Sequence, residues 1–147
     1  MKARRLMTRE VQCILPETPL TRAWSLMKEL GVRHLPVTRD GRLVGLLSDR
    51  DLLARGLIVR EGTVPGFGTL TAGEVMSLNP IVCPQGTAVS RIAYLMVEHQ
   101  IDSIPIVSVD NQVVGLVTST DLMSLLLKEK TAVLPFTFRV SSAAAVA

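Results

Sequence analysis

The sequence predicts an α/β fold (α+β by stricter labels) built from two related halves. Each half reads strand, helix, strand, strand, helix. The stretch Gly45-Leu46-Leu47-Ser48-Asp49-Arg50-Asp51 returns as Gly115-Leu116-Val117-Thr118-Ser119-Thr120-Asp121. Upstream landmarks recur at a constant spacing: Met76, Thr87, Met96 and Pro105 each stand 69 positions after Met7, Thr18, Met27 and Pro36. Beyond the apolar-proline step the spacing becomes 70, which one residue inserted near Asp110-Asn111 explains, because turns accept insertions without disturbing packing. A unit of about 50 residues is too small to cover both faces of its own sheet, so two copies packed sheet to sheet about a pseudo-twofold axis are expected.

The elements follow in order. Lys2 to Thr8 is a short basic lead-in ending Leu6-Met7-Thr8, and Val11 to Leu15 is a brief apolar run with strand character. Thr18-Pro19 has the form of a helix start, with threonine as cap and proline at the first helical position. Leu20, Ala23, Met27 and Leu30, with Trp24 and Leu26, recur at helical spacing, and Gly31 suits a left-handed terminus. Leu35-Pro36-Val37 and Leu43 to Leu47 are strands about an Asp40-Gly41 turn, and Ser48 opens a second helix running to about Arg55. The programme restarts at Val75-Met76-Ser77. The chain therefore divides into a first repeat with its lead-in over 1–62, a connection over 63–72, a second repeat over 73–127 and a tail over 128–147. In the tail, residues 131–140 alternate as a strand would.

Composition narrows the functional classes. With 48% hydrophobic and 20% charged residues the chain is globular rather than disordered. A net charge of +3 suits a bound anion but is too weak to argue for nucleic acid, and 3% aromatics leaves few stacking platforms. Cys13 and Cys83 lie in apolar runs without CxxC spacing, as buried free thiols of a reducing compartment would. No apolar run reaches the ~18 residues of a membrane span, and residues 1–10 lack a signal peptide's apolar core, so a cytoplasmic location is expected. His34 and His99 stand in no metal-ligand cluster, and neither a nucleophile elbow nor a P-loop is present, so no enzyme activity is expected.

The duplicated signature admits two readings. Ser48…Asp51 and Thr118…Asp121 spell helix caps with an acidic first turn, worth about 1 kcal/mol each. The same residues suit a nucleotide: an ionised carboxylate accepts both hydroxyls of a ribose diol, and a hydroxyl opening a helix stands beside free backbone N–H groups that suit phosphate.

With the Leu-Met-Thr and Val-Met-Ser leaders, the steps His34-Leu35-Pro36 and Ser103-Ile104-Pro105 and both Gly-x-x-Ser/Thr-x-x-Asp signatures, residues 3–127 resemble a CBS-domain pair, or Bateman module, of the stand-alone type. The resemblance implies two related clefts for adenosyl ligands (AMP, ADP or ATP, with S-adenosylmethionine or NAD as further options) and no required cofactor. One site would use His34, Leu46, Ser48 and Asp51 with Ile101, Asp102 and Ser103, with Arg50 adding charge. The other would use Ser103, Leu116, Thr118, Thr120 and Asp121 with Val32, Arg33 and His34. The site pairing His34 with Asp51 is expected to be the better phosphate site, tempered by the negative charge of Asp102.

The resemblance further implies a homodimer through the helices, with a stripe at Leu20, Ala23, Trp24 and Met27 and its counterpart Val89, Ile92, Ala93 and Met96 forming the contact. It implies a regulatory role exerted on an unknown partner protein in trans, without nucleic acid or membrane. A structural dimerisation module with empty clefts is the alternative.

Overall fold

The computed structural model describes residues 1–54 and 70–128. The end of the second helix at Arg55, most of the connection and the expected tail strand lie outside the described residues. A 3₁₀ turn, Ala3–Arg5, precedes helix α1 (Leu20–Leu30), strands β1 (His34–Arg39) and β2 (Arg42–Ser48), and helix α2 (Asp49–Ala54). The second half comprises α3 (Ala72–Val75), β3 (Ser77–Leu78), β4 (Cys83–Pro84), α4 (Val89–His99), β5 (Ser103–Val107), β6 (Val113–Thr118) and α5 (Ser119–Lys128). They form two three-stranded sheets, ordered β1-β2-β3 and β4-β5-β6. The tandem arrangement is the one expected from the repeat.

The hairpins follow local chemistry. Asp40 and Gly41 both take positive φ (50° and 77°), the geometry of a type I′ turn that matches strand twist. The second hairpin is longer and carries Asn111 at φ 60°, where the repeat spacing steps from 69 to 70. Asn111 also joins the halves: its carbonyl accepts from Leu43 N–H at 3.0 Å, and its Nδ2 donates to the Leu43 carbonyl at 3.0 Å. Both hairpins shift register at equivalent points, between Val37 and Thr38 and between Ile106 and Val107.

The leaders change places. Thr8 pairs with Leu116 in the second half, whereas Ser77 and Leu78 pair with Leu46 and Gly45 in the first. Met7 and Ala3 are buried in the second core with Ile92, Met96, Ile104, Ile106 and Val117. Ala72 joins the first core with Ile14, Leu20, Met27, Leu35, Leu47 and Leu52, and Met76 packs against it. The signature glycines make room for this crossing. A Cβ on Gly45 would lie 2.3 Å from Met76 Sδ, and one on Gly115 2.5 Å from Met7 Sδ.

Three details depart from the expectation. The long helices begin one residue late, at Leu20 and Val89, with Pro19 and Ala88 at the cap positions and no side-chain cap bond. Thr18 Oγ1 instead accepts from Leu15 N–H at 3.1 Å, closing the preceding turn. The exchanged leaders take over as caps: Leu20 N–H donates to the Leu70 carbonyl and Val89 N–H to the Met1 carbonyl, satisfying donors a helix start leaves open.

Second, the Val11–Leu15 strand contracts to one parallel bridge, Ile14 to Val37, although its second-half counterpart forms β4 beside β5. Third, the stripe expected at a dimer contact faces inward. Leu20, Ala23, Met27, Val89, Ile92 and Met96 are buried in the chain's own cores, because the helical period that marks an amphipathic face does not say which neighbour covers it. The exposed apolar residues of these helices are Leu30, Tyr94 and Val97. Gly31 takes the expected left-handed terminus at φ 64°, and Gln100 does so in the second copy at φ 53°.

Candidate functional site

The ends of β1 and β6 face one another across the boundary between the halves. Between them opens a cleft of about 720 Å³. One wall is the α1–β1 junction, with Leu30, Gly31, Val32, Arg33, His34 and Leu35. The opposite wall is the second signature, with Leu116, Thr118, Thr120 and Asp121. The exchanged lead-in closes one side with Thr8, Glu10, Val11 and Gln12. Of the residues expected from the sequence, Val32, Arg33, His34, Leu116, Thr118, Thr120 and Asp121 are brought together here. Thr8 to Gln12 were not expected, because they arrive by the leader exchange. The Leu-Met-Thr leader was visible as a repeat, but its spacing assigned it to its own half.

The signature residues satisfy the capping reading in both copies. Thr118 N–H and Oγ1–H donate to Asp121 Oδ2 at 2.7 and 2.9 Å, and Asp121 N–H returns to Thr118 Oγ1 at 3.4 Å. Ser48 and Asp51 repeat the pattern, with 2.7, 2.9 and 3.2 Å. In each case Oδ2 alone carries the cap, and among the described residues no hydrogen bond occupies Oδ1. Capping therefore fixes the carboxylate in place without consuming its capacity to accept.

The Asp51 side differs. Leu46, Ser48, Arg50, Asp51, Ile101, Asp102 and Ser103 do not line the open cleft. Leu46 is half-buried and pairs with Ser77, Ile101 is half-buried, and Ser103 is buried at the start of β5. Asp102 is the centre of an ionic cluster. Its Oδ1 lies 2.9 Å from His34 Nε2, and its Oδ2 lies 3.7 Å from Arg50 Nη2 and 4.0 Å from Arg33 Nη2. His34 is 6% exposed and Asp102 23%, so this contact is the shielded part of the cluster. An ionised carboxylate only accepts, which places the shared proton on Nε2. The sequence ranked the Asp51 site first for phosphate; the open cleft is the Asp121 one, and the ring of His34 is turned to Asp102.

Among the described residues no three His, Cys, Asp or Glu side chains converge as a metal site, and no helix is long and apolar enough to cross a membrane. His99 is exposed at the end of α4, 3.6 Å from Glu98.

Two pseudo-symmetric α/β repeats with a cleft at their boundary define a tandem-repeat module. The family model described as "CBS domain" matches residues 3–57 and again 72–128, and the chain belongs to that family.

Hypoxic response protein 1 of Mycobacterium tuberculosis is 33% identical over 121 residues, covering 82% of this chain and 81% of the relative. Its crystal structure, with two coordinated zinc ions, gives a TM-score of 0.70 at 30% identity and covers 84% of this chain and 98% of that one. CBSX2 of Arabidopsis thaliana, in complex with AMP, gives a TM-score of 0.76 at 26% identity, covering 88% and 99%. Inosine-5'-monophosphate dehydrogenase of Thermoplasma acidophilum is 29% identical over 119 residues. That match takes in 81% of this chain but only 22% of the dehydrogenase.

Proposed function

We infer that this chain is a regulatory module that binds an adenosyl ligand in the Asp121 cleft. The carrying observation is the Asp121 carboxylate, held rigid by its cap through Oδ2 and with Oδ1 turned to no described donor, on the wall of a cleft of about 720 Å³. Ligand pockets for compounds of this size run roughly 300–1,000 Å³. Asp121 would accept the ribose hydroxyls, Thr118 and Thr120 would stand near the phosphate, and Val32 and Leu116 would flank the base. CBSX2, whose crystal structure is in complex with AMP, supports that ligand class.

A ligand held between the two repeats favours whichever relative placement gives it better contacts, and it shifts the equilibrium only by that difference. We assign the readout of that shift to a partner protein in trans, the working state to a homodimer and the location to the cytoplasm. No catalytic step is assigned. The alternative, a dimerisation scaffold with empty clefts, is favoured by one observation: on the Asp51 side Arg33, His34 and Arg50 already face an internal carboxylate, Asp102.

A thermal-shift screen with AMP, ADP, ATP, S-adenosylmethionine and NAD tests this, each variant being compared with its own ligand-free midpoint. An adenosyl ligand at about 100 times its Kd stabilises by about 2.7 kcal/mol. At about 2–4 °C per kcal/mol for a chain of this size, that is a shift of roughly 5–11 °C. The shift is expected in the unmodified protein and in Asp51→Ala, and lost in Asp121→Ala. A folded dimer that shifts with none of the ligands establishes the scaffold instead.

A further inference from the structure

The exchanged lead-in carries a second concavity, of about 520 Å³, apart from the Asp121 cleft. It is lined by Arg4, Arg5, Met7 and Arg9, none of which lines the cleft. Arg4, Arg5 and Arg9 are exposed, and among the described residues no carboxylate stands within 4.0 Å of any of them. Arginines elsewhere are engaged: Arg22, Arg33, Arg39 and Arg50 each face a carboxylate, and Arg91 lies over the ring of Tyr94.

The fold itself does not require these cations. The positions 69 residues further on are Gly73, Glu74 and Leu78, whereas the packing residues of the same leader do recur, Ala3 as Ala72 and Met7 as Met76. Nor is the segment loosely attached. Ala3 N–H donates to the Thr87 carbonyl at 2.8 Å, Arg4 N–H to the Gln85 carbonyl at 3.1 Å and Thr8 N–H to the Leu116 carbonyl at 2.9 Å. Arg9 Nη2 donates to the Arg4 carbonyl at 3.1 Å, which draws that arm back across the turn and leaves the rest of its fork of donors. Three like charges are thus held on one pinned turn, where they repel one another until an anion joins them.

We propose that Arg4, Arg5 and Arg9 form a binding site for an oligophosphate, an anion of two or more linked phosphate groups, separate from the Asp121 cleft. Guanidinium forks match phosphate oxygens in pairs. Three forks offer more donors than one phosphate group or one carboxylate has oxygens to meet, so linked groups suit the site. A nucleic acid fits less well, because the lead-in carries no aromatic ring on which a base could stack. The site gives the module a second input, on the segment whose Thr8 and Glu10 close the Asp121 cleft.

Calorimetric titration of the full chain with tripolyphosphate tests this at about 0.15 M salt, where diffuse attraction is screened beyond about 8 Å. The unmodified protein is expected to bind, and Arg4→Gln, Arg5→Gln and Arg9→Gln each to bind roughly tenfold more weakly. Lys2→Gln removes the same charge from the same lead-in without touching the concavity, and is expected to stay within about twofold. Each variant is checked for an unchanged thermal midpoint. No binding by the unmodified protein overturns the proposal, as does a loss in Lys2→Gln equal to that in the arginine variants.

Two further arms identify the ligand and the place. A hexaglutamate peptide is expected to bind more weakly than tripolyphosphate, and equal or tighter binding would make the patch a dock for an acidic protein segment instead. Asp121→Ala is expected to bind tripolyphosphate as the unmodified protein does, whereas loss there would put the anion in the cleft and refute a separate site. In that same variant GTP, which carries the chain on a nucleoside, is compared with tripolyphosphate. Binding of GTP lost with Arg5→Gln supports a nucleotide as the source of the chain, and binding of tripolyphosphate alone supports a free oligophosphate. The adenosyl reading is scored by its own ligands, so either can fail while the other stands.

Discussion

Substituting alanine for Gly115 places a methyl carbon where the exchanged lead-in already lies. The new Cβ would stand 2.5 Å from Met7 Sδ, 2.8 Å from Met7 Cγ and 2.9 Å from the Thr8 carbonyl oxygen. Favourable carbon contacts lie at about 3.5–4.0 Å, so all three are far inside the repulsive wall. The thioether can swing aside, but the carbonyl cannot move alone. It accepts from Leu116 N–H at 3.0 Å, while Thr8 N–H donates to the Leu116 carbonyl at 2.9 Å. Relieving the clash therefore means lifting the leader.

Lifting it forfeits two backbone hydrogen bonds, each worth about 1 kcal/mol net. Overpacking strain of about 1–3 kcal/mol is the alternative where the leader stays. Because these are two routes out of one clash, the expected cost is about 2–3 kcal/mol. Thermal unfolding followed by far-ultraviolet circular dichroism should show a midpoint lower by roughly 4–12 °C, at about 2–4 °C per kcal/mol. Gly86 is the control, since a Cβ there meets nothing within 4 Å. Gly86→Ala is expected to change the midpoint by less than about 2 °C, in the range of ordinary surface substitutions. If Gly115→Ala behaves like Gly86→Ala, the glycine of the signature is not there to admit the leader, and the reasoning fails.

Two further outcomes follow from the same geometry. Thr118→Ala removes the hydroxyl that donates to Asp121 and receives its N–H, and should cost about 1 kcal/mol in urea unfolding. A cost near zero would mean that the cap does not hold α5. Burial raises the thiols of Cys13 and Cys83 above their ordinary value of 9.0, in Cys83 partly offset by a hydrogen bond with Thr87 and the charge of Arg91. The folded state therefore holds these protons more tightly, so their contribution to stability is full below the unfolded value and is lost as pH rises from it through the raised folded value. Iodoacetamide should label native protein slowly at neutral pH, half-buried Cys13 before buried Cys83, and labelling of either at the rate of a free thiol would contradict their placement.

Much of this protein is written locally. The repeat, the I′ turn at Asp40-Gly41, the left-handed stop at Gly31 and the Ser/Thr-x-x-Asp caps each depend on a few neighbouring residues, and each was legible in the chain. Val32, Arg33, His34, Leu116, Thr118, Thr120 and Asp121 of the Asp121 cleft were singled out too, because the duplicated signature and the apolar-proline step mark the same structural point in each half. Leu30, Gly31 and Leu35 beside them were not singled out as site residues, and Ser103, expected there, is buried away from it. The helix starts were misplaced by one residue because Thr18 satisfies its own turn, and the cap comes from Leu70, some fifty positions away in the chain.

The tertiary structure alone decided the exchange of leaders and the difference between the two sides of the boundary. A β-bridge between Thr8 and Leu116 leaves no periodic trace in either segment, since strand pairing is a contact between distant stretches that each look complete alone. The meeting of His34 with Asp102 has the same character. Both residues were singled out in the sequence, yet whether their charges face a ligand or each other depends on how the repeats are set, which many packing contacts determine together.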